Sequence, residues 1–391
     1  MKKHLLLALI LCVVLAGTLV AEKPRRIVEF GTDIGVGLAN NLTGLNDILK
    51  KHIYLDLNSL SSNIKRTGVS INADLDTEVF LNVNIGNWGF GVSGGVEGSI
   101  NGNLPKSLFT LIAQGNRDTY VLDGDITLFG GIFADTTLKG RAKFGKLTVG
   151  LSPAVFVPLI YIPKSTITYC LDTEETLQAW AESDIRVYSP FSLEDMDTST
   201  AMQGAGVDLS LSAEYELLPL LDLGGVLSHI PLGGAELRHE MRISFDHFGI
   251  DGSNLLQDQT LDIPEFALKQ EYYTGSYRAF RPLRLDLYAL YRPLGVELFT
   301  IRPNIGFTHV FGAGIPPYFN AGLEFRLNVF RIFFLHLGTG YEESLWRHRV
   351  GLAVNLRVFE LDLEGGLRSQ DFDKSFNLLG AGLKLGLRFG F

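Results

Sequence analysis

The sequence is short of cysteine, of cations and of long apolar runs, and each shortage excludes something. Its 391 residues hold two cysteines, Cys12 and Cys170. Cys12 falls in an apolar leader, so the mature chain keeps one thiol. It can form neither an internal disulfide nor a thiolate metal site. After residue 21 no run of eighteen apolar residues occurs, which excludes a membrane protein built on helices. Without the leader's Lys2 and Lys3, 32 Lys and Arg face 43 Asp and Glu. No basic stripe breaks that balance, so the phosphate backbone of a nucleic acid would be repelled and is excluded as a partner. The histidines show no metal spacing of the H-E-x-x-H type; His239 and His247 come nearest and read as a wet strand face. Ser228-His229 finds no matching acid, and the glycines of Gly89 to Gly98 follow sheet spacing rather than a phosphate loop. The reading is therefore no enzyme and no cofactor.

What the chain does contain is alternation. Hydrophobic residues make up 46%, mean hydropathy is +0.18, and 43 residues are glycine. From Leu379 to Phe391 every second residue is apolar, and those between are Gly, Lys384 and Arg388. Val69 to Ile85 alternates over a longer stretch, with only Thr77 and Phe80 breaking the rule. Val207 to Leu217 sets Val, Leu, Ala and Tyr against Asp208, Ser210, Ser212, Glu214 and Glu216. Period two places one face against an apolar medium and the other against water. Repeated a dozen times behind an export leader, it predicts an all-β chain. The expected fold is a closed antiparallel transmembrane β-barrel of about 14 strands (range 12–16), with a short part-helical N-terminal segment. Closure removes the edges that lipid cannot satisfy.

Residues 1–21 read as a signal peptide, with Lys2 and Lys3, an apolar Leu5 to Val20, and Ala21 before Glu22. Residues 22–67 hold an N-terminal strand, Ile27 to Leu38, and helical patterns at 41–51 and 57–64 that form a candidate hatch or plug or, equally, a periplasmic turn region. Residues 68–391 form the barrel. Leu104 to Asn116 reads as a short amphipathic helix with Pro105 in its first turn. Residues 163–203, acidic and poorly alternating, read as a long polar loop. The pairs Arg281-Pro282, Arg292-Pro293 and Arg302-Pro303 are each expected at a strand start or turn.

The most suggestive stretch is Ser152 to Pro163, apolar on both faces and carrying Pro153, Pro158 and Pro163. Two readings stand. In one, Pro158 deletes a wall hydrogen bond and Phe156 or Val157 faces inward, so Pro153, Phe156, Pro158 and Pro163 border a lateral route for a greasy ligand. In the other, which the residues favour, the wall strand ends near Pro153 and the rest is an extracellular arm.

The whole mature chain resembles the FadL/TraF-like group of bacterial outer-membrane barrels, through its alternating wall, Asn40 to Thr43 and the block Leu104 to Asn116. Its last strand is similar to those read by the barrel-assembly machinery, which makes Leu387, Phe389 and Phe391 an assembly signal and that machinery a partner, beside outer-membrane lipid. The resemblance implies a cell outer-membrane location and about 14 strands. For FadL itself it implies uptake of long-chain fatty acids by an N-terminal hatch and a lateral wall opening. No Asn-Pro-Ala hatch motif occurs among residues 22–66, and no ligand residue transfers. The expected function is a channel for small hydrophobic molecules such as long-chain fatty acids. The alternatives are a non-specific porin and a structural or adhesin-like barrel.

Overall fold

The computed structural model describes residues 26–41, 64, 66, 68–114, 121–172, 178–192, 194, 202–245, 248–251, 268–294, 298–312, 314–330, 332–377 and 379–391. The leader and most of the candidate hatch lie outside the described residues. Among the described residues, eighteen strands and one α-helix follow in order: β1 (Val28–Asn40), β2 (Val69–Ile85), β3 (Trp88–Leu104), α1 (Lys106–Gln114), β4 (Val121–Phe144), β5 (Leu147–Asp172), β6 (Gln178–Ser189), β7 (Gly206–Leu218), β8 (Leu221–Gly233) and β9 (Ala235–Phe245). The series continues with β10 (Phe248–Asp251), β11 (Leu268–Ala279), β12 (Leu283–Tyr291), β13 (Phe299–His309), β14 (Tyr318–Val329), β15 (Phe333–Glu342), β16 (Leu345–Asn355), β17 (Phe359–Ser369) and β18 (Gly380–Gly390).

Fourteen of these close into an antiparallel ring: β1 to β5, β7, β8, and β12 to β18, with β18 returning to β1. The number agrees with the count expected from alternation. Apolar residues of the outer face stay exposed, among them Val36, Leu81, Phe90, Leu211, Val350 and Leu383. That band meets lipid. The two exceptions within β2 are both accommodated. Thr77 bonds through its hydroxyl to the backbone of Val96, and Phe80 lies inside, over the bare Cα of Gly31.

Strands β4 and β5 hold 24 and 26 residues, far beyond the ~9–11 that cross a bilayer. Their upper halves rise out of the wall and pair on with β6, β9 and β11 as an extension sheet. Five of the six connections at the opposite end are short, and the one after β12 spans 292–298, so that end is periplasmic and the extension is extracellular.

Three expectations are corrected. The barrel begins at β1, which pairs with β18 on one side and β2 on the other, rather than at residue 68. Much of 163–203 is strand rather than loop: polar and charged residues suit a sheet that stands in water on both faces, so alternation fails there without strand structure failing. Pro303 lies inside β13, opposite Leu323. Its missing N–H coincides with a skip in the β12 ladder, where pairing jumps from Tyr288–Asn304 to Tyr291–Ile301. Pro282 and Pro293 stand outside the strands, as expected.

Candidate functional site: a break in the wall beside an apolar slot

In one column of the wall two strands share a place end to end. Below, β7 fills the space between β5 and β8, as far as Phe156–Gly206 and Val207–Gly233. Above, β6 fills it from Tyr161–Tyr188 and Ser189–His239 upward. Between these pairs, Val157 to Ile160 on β5 have no ladder partner on that side, and neither do residues 234–238 opposite. The ladder has a gap there, a window in its pairing, beside the fully buried Pro158, and the segment holding Gly204 and Gly206 packs against the backbone of Glu236 and Ala235. On its other edge β5 shifts register against β4 at Phe133–Pro158 and again beyond Gly130–Ile162. Pro163 falls in the second shift, and Pro153 in a skip between Ala154–Thr137 and Leu151–Gly140. Each proline thus marks a place where the ladder lets go, as its missing donor demands. The wall strand continues past Pro153 to Asp172, so the reading in which it ends near Pro153 is not what the structure shows.

The window is plugged from inside by an apolar cluster of Phe133, Phe156, Tyr161, Tyr188, Ala235, Leu237 and Ala279, with Tyr277 against it. Phe133 meets Phe156 at 6.1 Å and Tyr161 at 6.3 Å between ring centroids, and Tyr188 stacks on Tyr277 at 4.5 Å. Tyr161 donates its hydroxyl hydrogen to the Phe311 carbonyl at 2.9 Å. The Phe156 ring stands so close to Gly206 that a Cβ there would sit 2.4 Å from it.

Beneath the plug lies a buried ion bridge. Arg281, in the break between β11 and β12, donates to both carboxylate oxygens of Asp208 at 2.7 and 2.8 Å. It also reaches Asp135 at 3.2 Å and Glu97 at 3.3 Å, and lies 5.3 Å over the Phe156 ring. Glu97 further binds Arg284 at 3.4 Å and faces His229 at 3.5 Å. His229 occupies a bulge of β8 with a left-handed φ of 59°, a conformation that turns its ring inward and that alternation could not show.

Phe133 and Tyr161 also line a narrow slot of about 40 Å³, with Phe129, Phe280, Val310 and Tyr318 as apolar and aromatic neighbours and Glu97, Arg284 and Glu343 at its polar end. It opens on a chamber of about 450 Å³ in which eight carboxylates face six Lys and Arg among the described residues. A further chamber of about 480 Å³ lies toward the periplasmic turns and is lined by Arg26, Glu29, Lys139 and Arg141. The apolar passage is therefore confined to the slot and plug, and the lumen below is wet and charged.

At the barrel seam, Leu387 and Phe389 face outward. Phe389 stacks on Phe30 at 5.2 Å and meets the tilted ring of Phe359 at 5.1 Å. Phe391 is exposed, and its carbonyl accepts from Ile27 N at 2.7 Å.

No protein-family model matches the chain, and no curated protein does. Solved structures do. TodX, the toluene transporter of P. putida, matches over 96% of this chain and 94% of its own, at 11% identity and a TM-score of 0.51. A TodX variant described as a monoaromatic hydrocarbon channel matches over 94% and 91%, at 10% identity and a TM-score of 0.52. TbuX, the toluene transporter of Ralstonia pickettii, matches over 94% and 90%, at 8% identity and a TM-score of 0.50. The chain is a closed antiparallel β-barrel of fourteen strands with the fold of these channels.

Proposed function

We propose that this protein is an outer-membrane channel for small hydrophobic molecules, which enter the aromatic slot from the extracellular side and leave sideways through the window beside Pro158. The observation that carries this reading is a coincidence of place. The one column in which two strands share the wall is also where the buried apolar cluster sits, next to the slot. Straight passage downward would take a greasy molecule through chambers lined by charge, where it would recover none of its transfer free energy. A sideways route delivers it to lipid. TodX and TbuX, toluene transporters by name, share the fold, which supports hydrophobic cargo; a fatty-acid tail would suit the plug as well. Pro153, Phe156, Pro158 and Pro163 are proposed to border the route. Leu387, Phe389 and Phe391 are proposed as the signal on which the assembly machinery acts.

The chamber of about 450 Å³ favours a second reading, a porin for polar solutes. Planar-bilayer conductance separates the two. The channel proposed here gives no steady ionic current while proteoliposomes carrying it take up a hydrophobic dye faster than empty ones. Steady open-channel current without dye uptake would establish the porin instead.

A further inference from the structure

The slot combines five aromatic rings with an excess of negative charge, and that combination discriminates among ligands by their polar ends. Phe129, Phe133, Tyr161, Phe280 and Tyr318 form its wall. Aromatic faces carry partial negative charge and attract cations; the same lumen already uses this, with Arg281 over Phe156 at 5.3 Å and Arg302 over Tyr288 at 4.4 Å. At the polar end two carboxylates, Glu97 and Glu343, share Arg284, at 3.4 and 3.5 Å. Glu97 also draws on Arg281, but that guanidinium is spent on Asp208 and Asp135 as well. The chamber below shares Glu97, Glu343 and Arg284 and keeps two more acids than Lys and Arg among its described lining.

A ligand carboxylate arriving here would have to displace a glutamate from Arg284, leaving Glu97 to share Arg281 with Asp208 and Asp135, or Glu343 with Arg347 alone. An ammonium would meet two acceptors and ring faces, which compensate its lost hydration. We propose that the slot selects small hydrophobic amines in their protonated form over neutral analogues, and both over carboxylates. The proposal rests on the channel reading above and specifies its cargo.

Three ligands with one ring test it: benzylammonium, benzyl alcohol and benzoate. Each is titrated against the protein in nanodiscs, with empty nanodiscs as the baseline for bilayer partition. The expected order of affinity is benzylammonium, then benzyl alcohol, with benzoate at least about tenfold weaker than the ammonium. Glu343→Gln and Glu97→Gln each lower the ratio of benzylammonium to benzyl alcohol affinity; two variants are used so that one failing to assemble does not end the test. Benzoate binding as tightly as benzylammonium overturns the charge selection and leaves the channel reading standing. If none of the three binds above the empty nanodisc, the channel reading of the slot falls and the selection with it.

Discussion

Arg368 on β17 forms an ion pair with Asp74 on β2, although two strands, β18 and β1, stand between them. The guanidinium lies along a trough left by Gly382 and Gly37, where an ideal Cβ would come within 2.6 and 1.9 Å of it. The next contact along the seam follows the same rule. Lys384 on β18 reaches Asp76 on β2 at 3.9 Å, over Gly35 of β1. Bare glycines on the lumen face let side chains fasten strands that are not neighbours, and so tie the first and last staves of the barrel.

Gly37→Ala should therefore break the Arg368–Asp74 pair without preventing assembly, since the displaced atoms are the far end of a flexible side chain. The expected cost is about 2 kcal/mol, the scale of a charged hydrogen bond lost from a partly wet site. Asp74→Asn should cost a similar amount, and the double variant no more than either alone. Urea unfolding from lipid vesicles measures all three.

Phe156→Ala removes the most buried ring of the plug, which is 1% exposed. It should destabilise the barrel by roughly 3–5 kcal/mol and raise hydrophobic dye uptake several-fold. Ala235→Phe, at a fully buried position across the window, should lower uptake, with an overpacking cost of about 1–3 kcal/mol. Uptake that moves the same way in both variants, at equal amounts of folded protein, would contradict the window as the route.

Arg281→Met leaves Asp208, 1% exposed, without its bidentate partner. A loss of about 3–5 kcal/mol is expected. Adding Asp208→Leu should recover most of it, because the stranded charge is then gone. A double-mutant cycle on unfolding free energy reads the coupling.

Cys170, the sole cysteine after residue 21, lies on the extracellular half of β5 and is partly buried. A membrane-impermeant maleimide should label it on intact cells, which tests the orientation of the barrel. Burial, and then the nearby carboxylates of Asp123 and Asp172, raise its thiol pKa. A raised pKa means less thiolate at a given pH, so labelling between pH 7 and 9 should be slower than for free cysteine and should keep rising above that range.

Much of this architecture was legible in advance, and for one reason. A barrel wall has period two and a different medium on each side, so each strand declares its faces alone. Leu379 to Phe391, Val69 to Ile85 and Val207 to Leu217 are wall strands with the expected face outward, and the ring closes at fourteen. Where both faces are wet the same logic fails: the stretch 163–203 reads as loop, yet β5 and β6 pass through it as paired strands.

The placement of the site was only half legible. Ser152 to Pro163 could be picked out by its prolines and its two apolar faces, and Phe156 does point inward. That β6 and β7 stack in a single column beside those prolines depends on the register of four strands, which no local pattern encodes. Arg281, Asp208 and Glu97 come from the break before β12, from β7 and from β3, so their meeting is likewise a matter of closure. Alternation along single strands determined that this chain is a barrel in a membrane. Only the tertiary pairing decided where its wall parts and which charges stand behind the opening, because those are relations between strands far apart in sequence.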